Sequence, residues 1–467
     1  MENLNFKEKL NFNEFPPISL EEWEGVIESD LKGKDYKDAL QWESGEGVNI
    51  LPFYRKEHLK DLEQSPFPVR TSASWDIIEP ITGTDPKKAN ELALHALRNG
   101  STGLYFLLKA DSISSKQDLE LLLEDIQIEF ITLKFGAGLS TPGIVKWLQS
   151  ICENRGILNK DLNVYFSFDP FSSAIRSGKL LDSDSLQQMV SRFGDLFSFM
   201  VSDSSVYANS GATIIQQIAF TLASANEFLG MNEKNAQKLY FNFASGPNYF
   251  PEIAKIRAFQ LMWTQVLKEY GIQESSNPVH SETSFWNKSK TDAHNNMLRA
   301  TTEAMSAALA GCDVMTVHPY NAHFEDPSGF SSRIARNVQL ILQEEAYLDK
   351  VADPGAGSYY IEVLTNKISE ESWALFQKIE GKGGFYECLK EGFIQDEIMK
   401  SQKEKISAYK DKEKVLVGVN KYQPDEIQKS QSNIQNFADF EFADTSFSDI
   451  KKVEPLNIEA ELQKGNA

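Results

Sequence analysis

The chain has 467 residues, 41% of them hydrophobic, which is enough for one barrel of about 250 residues with additions or for two or three ordinary domains. Its formal net charge of -20 argues against nucleic acid or an anionic membrane as the main partner, because both bind basic faces. Three widely spaced cysteines, a polar N-terminus without a signal-peptide core and the lack of an 18-residue apolar run indicate a protein of the reducing cytoplasm.

Residues 1–70 show no regular alternation of strands and helices, and we predict that they form an arm that wraps around another surface. One helix is predicted in the stretch SLEEWEGVIESDLKG. Ser19 and Glu22 have the spacing of a capping box at its start, and Gly33 is placed to end it. An extended piece, GVNILPFYRKEHL, follows.

Residues 71–362 are predicted to form a (β/α)8 TIM barrel. Seven short runs rich in valine, isoleucine, phenylalanine and tyrosine alternate with helical patterns: STGLYFLL, IEFITLKF, NVYFSFDP, LFSFMVSD, KLYFNFAS, NPVHSETS and CDVMTVHP. Several are apolar throughout, which is typical of parallel strands buried on both faces. An eighth strand is predicted around residues 348–352, the least regular part of the pattern.

Two regions follow the predicted barrel. Residues 363–422 have helical patterns broken by a glycine-rich stretch, and we expect these helices to pack on the barrel. Residues 423–467 are polar and acidic without sustained periodicity, which predicts a tail or linker.

Several predicted strands end in polar residues, at the face where a barrel places its chemistry: Asp169, Ser202, Asp203, Ser245, residues 281–284 and His318. Helix caps and turns are the more common explanation for each of them. His318 and His323 lie close in sequence to Glu325 and Asp326, but a Pro/Gly-rich loop without an HxxxH helix does not fix ligand geometry. We therefore predict no metal site.

Segments between His280 and Glu362 resemble the end of the substrate barrel in the methylmalonyl-CoA mutases. The matching stretches are HSETSFWN, NNMLRATTEAMSAALAGCDVMTVHP and DPGAGSYYIE. These enzymes are cobalamin-dependent isomerases that rearrange a branched acyl-coenzyme A into succinyl-coenzyme A. EGVNILPFY, EIAKIRAFQLMW and VGVNKY extend the resemblance to most of the chain, from residue 46 to residue 422.

The resemblance also implies that the catalytic groups of the family are missing. Ile78 and Pro80 stand where catalytic chains carry an arginine and a tyrosine that face the acyl group. Val206 stands in place of a histidine that hydrogen-bonds the thioester carbonyl. Isoleucine cannot pair with a carboxylate and proline has no side chain that donates a hydrogen bond, so we expect no catalytic residue in this chain.

One family motif is kept in part. His280 matches the histidine of a His-Ser-Gln-Thr-Ser-Gly-Trp run, whereas Glu282 replaces its glutamine and Phe285 its glycine. His280 and Glu282 are possible remnants of a binding site, although a satisfied core histidine is the more ordinary interpretation of His280. A phenyl ring fills space that glycine leaves open, so we expect a filled barrel that admits no pantetheine arm.

About 45 residues follow Tyr422, too few for the flavodoxin-like domain that binds cobalamin in the family. The resemblance therefore implies the noncatalytic small subunit of a heterodimeric mutase of propionate metabolism. Such a chain is inactive alone, binds no cofactor and supports a large catalytic subunit that holds adenosylcobalamin. Two alternatives stay open: an acyl-CoA-binding catalytic chain whose cobalamin domain is a separate polypeptide, and an accessory barrel unrelated to mutase assembly.

Overall fold

The seven apolar runs form strands of one closed sheet in the computed structural model, which describes residues 17–59, 73–158, 162–193, 197–273, 275–424 and 446–464. All neighbouring strands are parallel and follow one another around the barrel in chain order. They are β1 Asp76–Gly83, β2 Gly103–Leu108, β3 Thr132–Phe135, β4 Asn163–Phe168, β5 Ser198–Asp203, β6 Leu239–Ser245, β7 Val279–Thr283 and β8 Val314–Thr316. The predicted (β/α)8 TIM barrel is confirmed.

Helices precede, surround and follow the barrel. Two belong to the arm, α1 Leu20–Asp30 and α2 Tyr36–Leu40. Those between and after the strands are α3 Pro86–Arg98, α4 Lys116–Leu122, α5 Pro142–Arg155, α6 Pro170–Ser177, α7 Ser183–Phe193, α8 Ser204–Asn209, α9 Ile214–Met231, α10 Tyr249–Glu269, α11 Asn295–Ala310 and α12 Gly329–Glu344. The last four are α13 Tyr359–Glu380, α14 Gly384–Lys390, α15 Phe393–Lys410 and α16 Ile458–Gln463.

The strand predicted around residues 348–352 is wrong. That stretch is a turn after α12, and the remaining barrel strand is β1, which pairs with β8 on one side and β2 on the other. Glu79 and Pro80 lie in the middle of β1, and both residue types are depleted in strands. The run GLYF consequently belongs to the second barrel strand.

The outward faces of the strands pack against the helices. Phe106, Phe135 and Phe166 occupy matching outward positions on β2, β3 and β4, with ring centroids 5.8 Å and 4.9 Å apart along the row. All three side chains are fully buried. Because residues alternate across a strand, the neighbouring positions point into the barrel.

One stretch of the described arm packs against the barrel. The predicted capping box is present, since Ser19 and Glu22 exchange hydrogen bonds, and α1 ends at Asp30, just before a left-handed turn at Gly33. Val48 and Ile50 are buried in the main hydrophobic core. The arm is therefore packed against the barrel at these residues.

The predicted tail or linker over residues 423–467 is partly wrong. Residues 425–445 lie outside the described residues, but residues 446–464 are folded on the barrel. Phe447–Asp449 pairs antiparallel with Lys179–Leu181, and Val453 and Ile458 are buried. We call residues 446–464 the C-terminal segment.

Helix α13 packs against α9 and α10, beside the barrel. Its start is fixed by Arg257 of α10, which pairs with Asp353 in the preceding loop and with Glu362 at 3.0 Å. Its end carries Glu380. Burial and the negative charge of Glu227 on α9 raise the pKa of Glu380 to about 7.

We expect the Glu380→Gln variant to gain stability relative to the parent as pH rises. A carboxyl whose folded-state pKa lies above its ordinary 4.5 adds stability that is complete below pH 4.5 and is lost as pH rises through about 7. Glutamine carries no charge at either pH. The free energy of unfolding of Glu380→Gln, relative to that of the parent, should be about 1 kcal/mol higher at pH 8 than at pH 5. This value is reduced for solvent screening, because Glu380 is partly exposed.

Urea unfolding of both proteins at pH 5 and pH 8 measures this difference. Glu371→Gln is the matched control, because Glu371 lies on the same helix with an exposed side chain. An equal parent-to-variant difference at the two pH values would contradict the raised pKa of Glu380.

Candidate functional site

The candidate site is the end of the barrel at which the parallel strands finish, the face that carries binding and catalytic groups in TIM barrels. The side chains that point inward from the strands form two levels there. A lower level is aromatic, and an upper level at the mouth is charged and polar. The segments that follow the strands, together with the arm and the C-terminal segment, surround this mouth.

The lower level is filled by aromatic rings around His280. The ring centroid of His280 on β7 lies 4.5 Å from the ring centroid of Tyr165 and 4.6 Å from that of Tyr240. The ring centroids of the two tyrosines are 5.0 Å apart. Rings at such spacings are in direct contact, so side chains fill the lumen at this level. Tyr240 also shares a 3.3 Å hydrogen bond with Ser167.

His280 is buried as expected, but it is not a satisfied core histidine. Neither ring nitrogen has a hydrogen-bond partner among the described residues. Burial, with a smaller effect from the positive charge of Lys134, holds the pKa of His280 well below 6.5. The side chain is therefore neutral at physiological pH and acts as part of an aromatic packing layer.

The upper level begins with a hydrogen-bonded chain of three side chains. The Lys134 ammonium donates to Asn242 Oδ1 at 3.0 Å, and Asn242 Nδ2 donates to Asp203 Oδ1 at 2.9 Å. Lys134 also lies 4.4 Å from the ring centroid of Tyr105. Burial lowers the pKa of Lys134, while burial and the charge of Glu282 raise the pKa of Asp203.

Glu282 and His318 complete the upper level. His318 Nε2 lies 3.2 Å from Glu282 Oε2, and both side chains are buried. Burial alone would raise the pKa of Glu282, but the hydrogen bond and charge of His318, together with Lys134, outweigh it and lower the pKa to about 2. The ring centroid of Phe285 lies 4.5 Å from the ring centroid of His318.

Ile78, Pro80 and Val206, which are expected from the sequence to replace catalytic groups, contribute no titratable group. Ile78 is fully buried and packs with Tyr105 and Val314 inside the barrel. Pro80 follows two residues later on β1, on the same face of the strand. Val206 lies in α8, directly after β5, and belongs to the outer core rather than to the cluster of Ile78.

Other parts of the chain occupy the rim of the mouth. The carboxylate of Glu46, from the arm, accepts from the Ile214 amide at 3.0 Å and from Asn248 Nδ2 at 2.9 Å. Lys405 of α15 is buried with its ammonium 4.5 Å from the ring centroid of Trp286. The arm and α15 therefore both contribute buried charged side chains to the rim of the mouth.

A comparison with known proteins identifies the family. The family model described as methylmalonyl-CoA mutase matches residues 109–464. Over 479 aligned positions the chain is 34% identical to the methylmalonyl-CoA mutase small subunit of Porphyromonas gingivalis, covering 97% of this chain and 76% of that protein. This chain belongs to the methylmalonyl-CoA mutase family.

Other relatives in the methylmalonyl-CoA mutase family match over a similar range. The small subunit from Streptomyces virginiae is 28% identical over 88% of this chain and 71% of that protein. The methylmalonyl-CoA mutase of Cereibacter sphaeroides is 28% identical over 86% of this chain and 64% of that protein. The chain thus spans roughly two thirds to three quarters of the length of these relatives.

Two residues of this mutase-family mouth, Lys134 and Asn242, were missed in the sequence. Each is a single polar residue at an inward position of an apolar strand, ITLKF and LYFNFAS, and that pattern is the signal that could have found them. His318 pairs with Glu282, and in the described part of the chain no three histidine, cysteine or acidic side chains converge on a metal position. None of the described helices is long and apolar enough to span a membrane.

Proposed function

We propose that this chain is the noncatalytic small subunit of a cytoplasmic, cobalamin-dependent methylmalonyl-CoA mutase. In this role it supports a large catalytic subunit in a heterodimer, and adenosylcobalamin is bound by the partner. The observation that carries the proposal is the filled lumen, in which Tyr165, Tyr240 and His280 are in ring contact where a substrate arm would pass. Ile78, Pro80 and Val206 support it, because none of them can act as an acid, a base or an anion-binding group.

The arm supplies a surface suited to such a partner. Helix α1 has no buried residue, and Trp23 and Val26 are 46% and 63% exposed. Its sequence, LEEWEGVIESD, has five acidic residues and no basic one. An apolar strip with acidic flanks complements an apolar groove with basic edges, whereas two copies of α1 would repel each other.

We expect coexpression with the large chain to give a 1:1 complex, and Val26→Asp to weaken its assembly at least about tenfold, as for a buried interface residue. Size-exclusion chromatography and titration of the two purified chains measure this. Leu92→Asp is the matched control, because Leu92 is an exposed apolar residue on a different helix, α3. Equal weakening by both variants, or by neither, would contradict the assignment of α1 to the interface.

The same material tests the noncatalytic role. The chain alone should neither bind coenzyme A thioesters nor turn them over, whereas the complex should be active. Turnover by this chain with only a cobalamin-binding polypeptide would support the alternative of an acyl-CoA-binding catalytic chain. Failure to associate with the large mutase chain would support an accessory barrel.

A further inference from the structure

The C-terminal segment lies along the mouth of the barrel and connects the segments that follow three of its strands. Its backbone amides donate to backbone carbonyls that follow β4, β5 and β7: Val453 to Ile175 in α6 at 3.0 Å, Leu456 to Asn209 at the end of α8 at 2.8 Å, and Ile458 to Trp286 in the loop after β7 at 3.1 Å. The side chains of these three donors are buried. The segment is thus held along its length on the face where the site lies.

Glu459 anchors the segment in the loop after β7. Its carboxylate accepts hydrogen bonds from Ser289 Oγ at 2.9 Å, from the Lys290 amide at 2.6 Å and from the Thr291 amide at 3.0 Å. The side chain is buried. Successive backbone amides that converge on one anion form an anion nest, and here the chain provides its own anion.

A continuous set of contacts leads from this segment to the lumen. Asn209 accepts the Leu456 amide with its carbonyl and the Phe285 amide with its side-chain oxygen, at 2.8 Å in both cases. Phe285 opens the loop that Glu459 anchors, and its ring lies on His318. The C-terminal segment is therefore connected to Phe285 in two ways: through Asn209, which binds the Phe285 amide, and through Glu459, which holds the loop after Phe285.

We propose that the C-terminal segment is a latch. Glu459 locks it into the nest formed by residues 289–291, and the locked segment holds Phe285 as a plug over His318 and Glu282. Release of the latch opens the mouth and makes these two side chains reachable from solvent. The latch is a property of this barrel alone and does not depend on the proposed partner.

The reactivity of His318 toward diethyl pyrocarbonate, followed by mass spectrometry, tests the latch in the full chain. In Glu459→Ala the rate of modification of His318 should rise at least about tenfold, the size expected when hydrogen bonds to a buried charge are lost. His95 is exposed and gives the internal reference. Glu461→Ala is the matched control, because Glu461 lies on the same helix and pairs with Lys464 at the surface.

Hydrogen exchange on the same samples shows whether residues 446–464 have been released. Faster exchange of the segment together with faster modification of His318 supports the latch. Faster exchange with His318 still protected overturns it, because the plug would then be held without the segment. An unchanged segment in Glu459→Ala overturns the role of Glu459 as the lock.

A chain that ends after residue 445 tests the latch without relying on Glu459. His318 should become reactive in this variant, and a synthetic peptide of residues 446–467 added in trans should restore its protection. Rescue by the peptide also shows that the truncated barrel is folded. If His318 stays unreactive in the truncated chain, the proposal is wrong.

Discussion

Replacing Arg336 by methionine is expected to lower the free energy of unfolding by about 3–5 kcal/mol, because it leaves the Glu79 carboxylate buried without its charged partner. Arg336 Nη1 lies 2.6 Å from Glu79 Oε2, and the two side chains are 3% and 9% exposed. Ser101 Oγ also donates to Glu79, at 3.0 Å, but a hydroxyl cannot balance a buried charge. Denaturant unfolding at neutral pH measures the loss.

The double variant Glu79→Gln, Arg336→Met should regain most of that loss, since it removes the charge that was left behind. Arg333→Met is the matched control on the same helix, where the arginine is exposed, and it should change stability by less than about 0.5 kcal/mol. A loss below about 1 kcal/mol in Arg336→Met would mean that Glu79 is solvated or paired elsewhere.

This ion pair explains why the sequence predicted seven strands correctly and misplaced the eighth. Strands buried on both faces are visible as local apolar runs, and seven strands have that composition. Strand β1 carries Glu79, whose partner lies 257 positions away. A local stretch of sequence does not show that Glu79 is paired with Arg336. The charge of Glu79 and the proline after it therefore made this strand unrecognisable from the sequence.

Individual residues of the candidate site could be predicted from the sequence, but the contacts between them could not. The exchange of glycine for Phe285 predicted a ring at the mouth, and this ring lies against His318. The link between Lys134 and Asn242 spans 108 positions, beyond any local pattern. The C-terminal segment was misread because backbone hydrogen bonds, three buried apolar side chains and the Glu459 carboxylate hold it, rather than a periodic apolar face.

Replacing Tyr240 by alanine is expected to cost about 3–5 kcal/mol of stability, because it leaves a cavity in the centre of the barrel. Tyr240 is fully buried and in ring contact with both Tyr165 and His280. Tyr240→Phe is the matched control: it keeps the ring and loses only the hydrogen bond to Ser167, at a cost of about 1 kcal/mol. Denaturant unfolding of the three proteins at pH 7.5 measures these differences.

The pH dependence of the same variants tests whether this aromatic layer keeps His280 neutral. A histidine whose folded-state pKa is depressed adds its full contribution to the stability of the folded state above the ordinary histidine pKa of 6.5. The stability of the parent therefore falls as pH drops from 6.5 toward the folded-state pKa. Water that enters beside His280 in Tyr240→Ala should return its pKa toward 6.5, which removes this acid penalty. The stability gap between parent and Tyr240→Ala should therefore narrow between pH 7.5 and pH 5, whereas the gap to Tyr240→Phe should stay constant. A gap to Tyr240→Ala that does not change with pH would show that the ring of Tyr240 does not keep water from His280, and the lumen would then not be closed at this level.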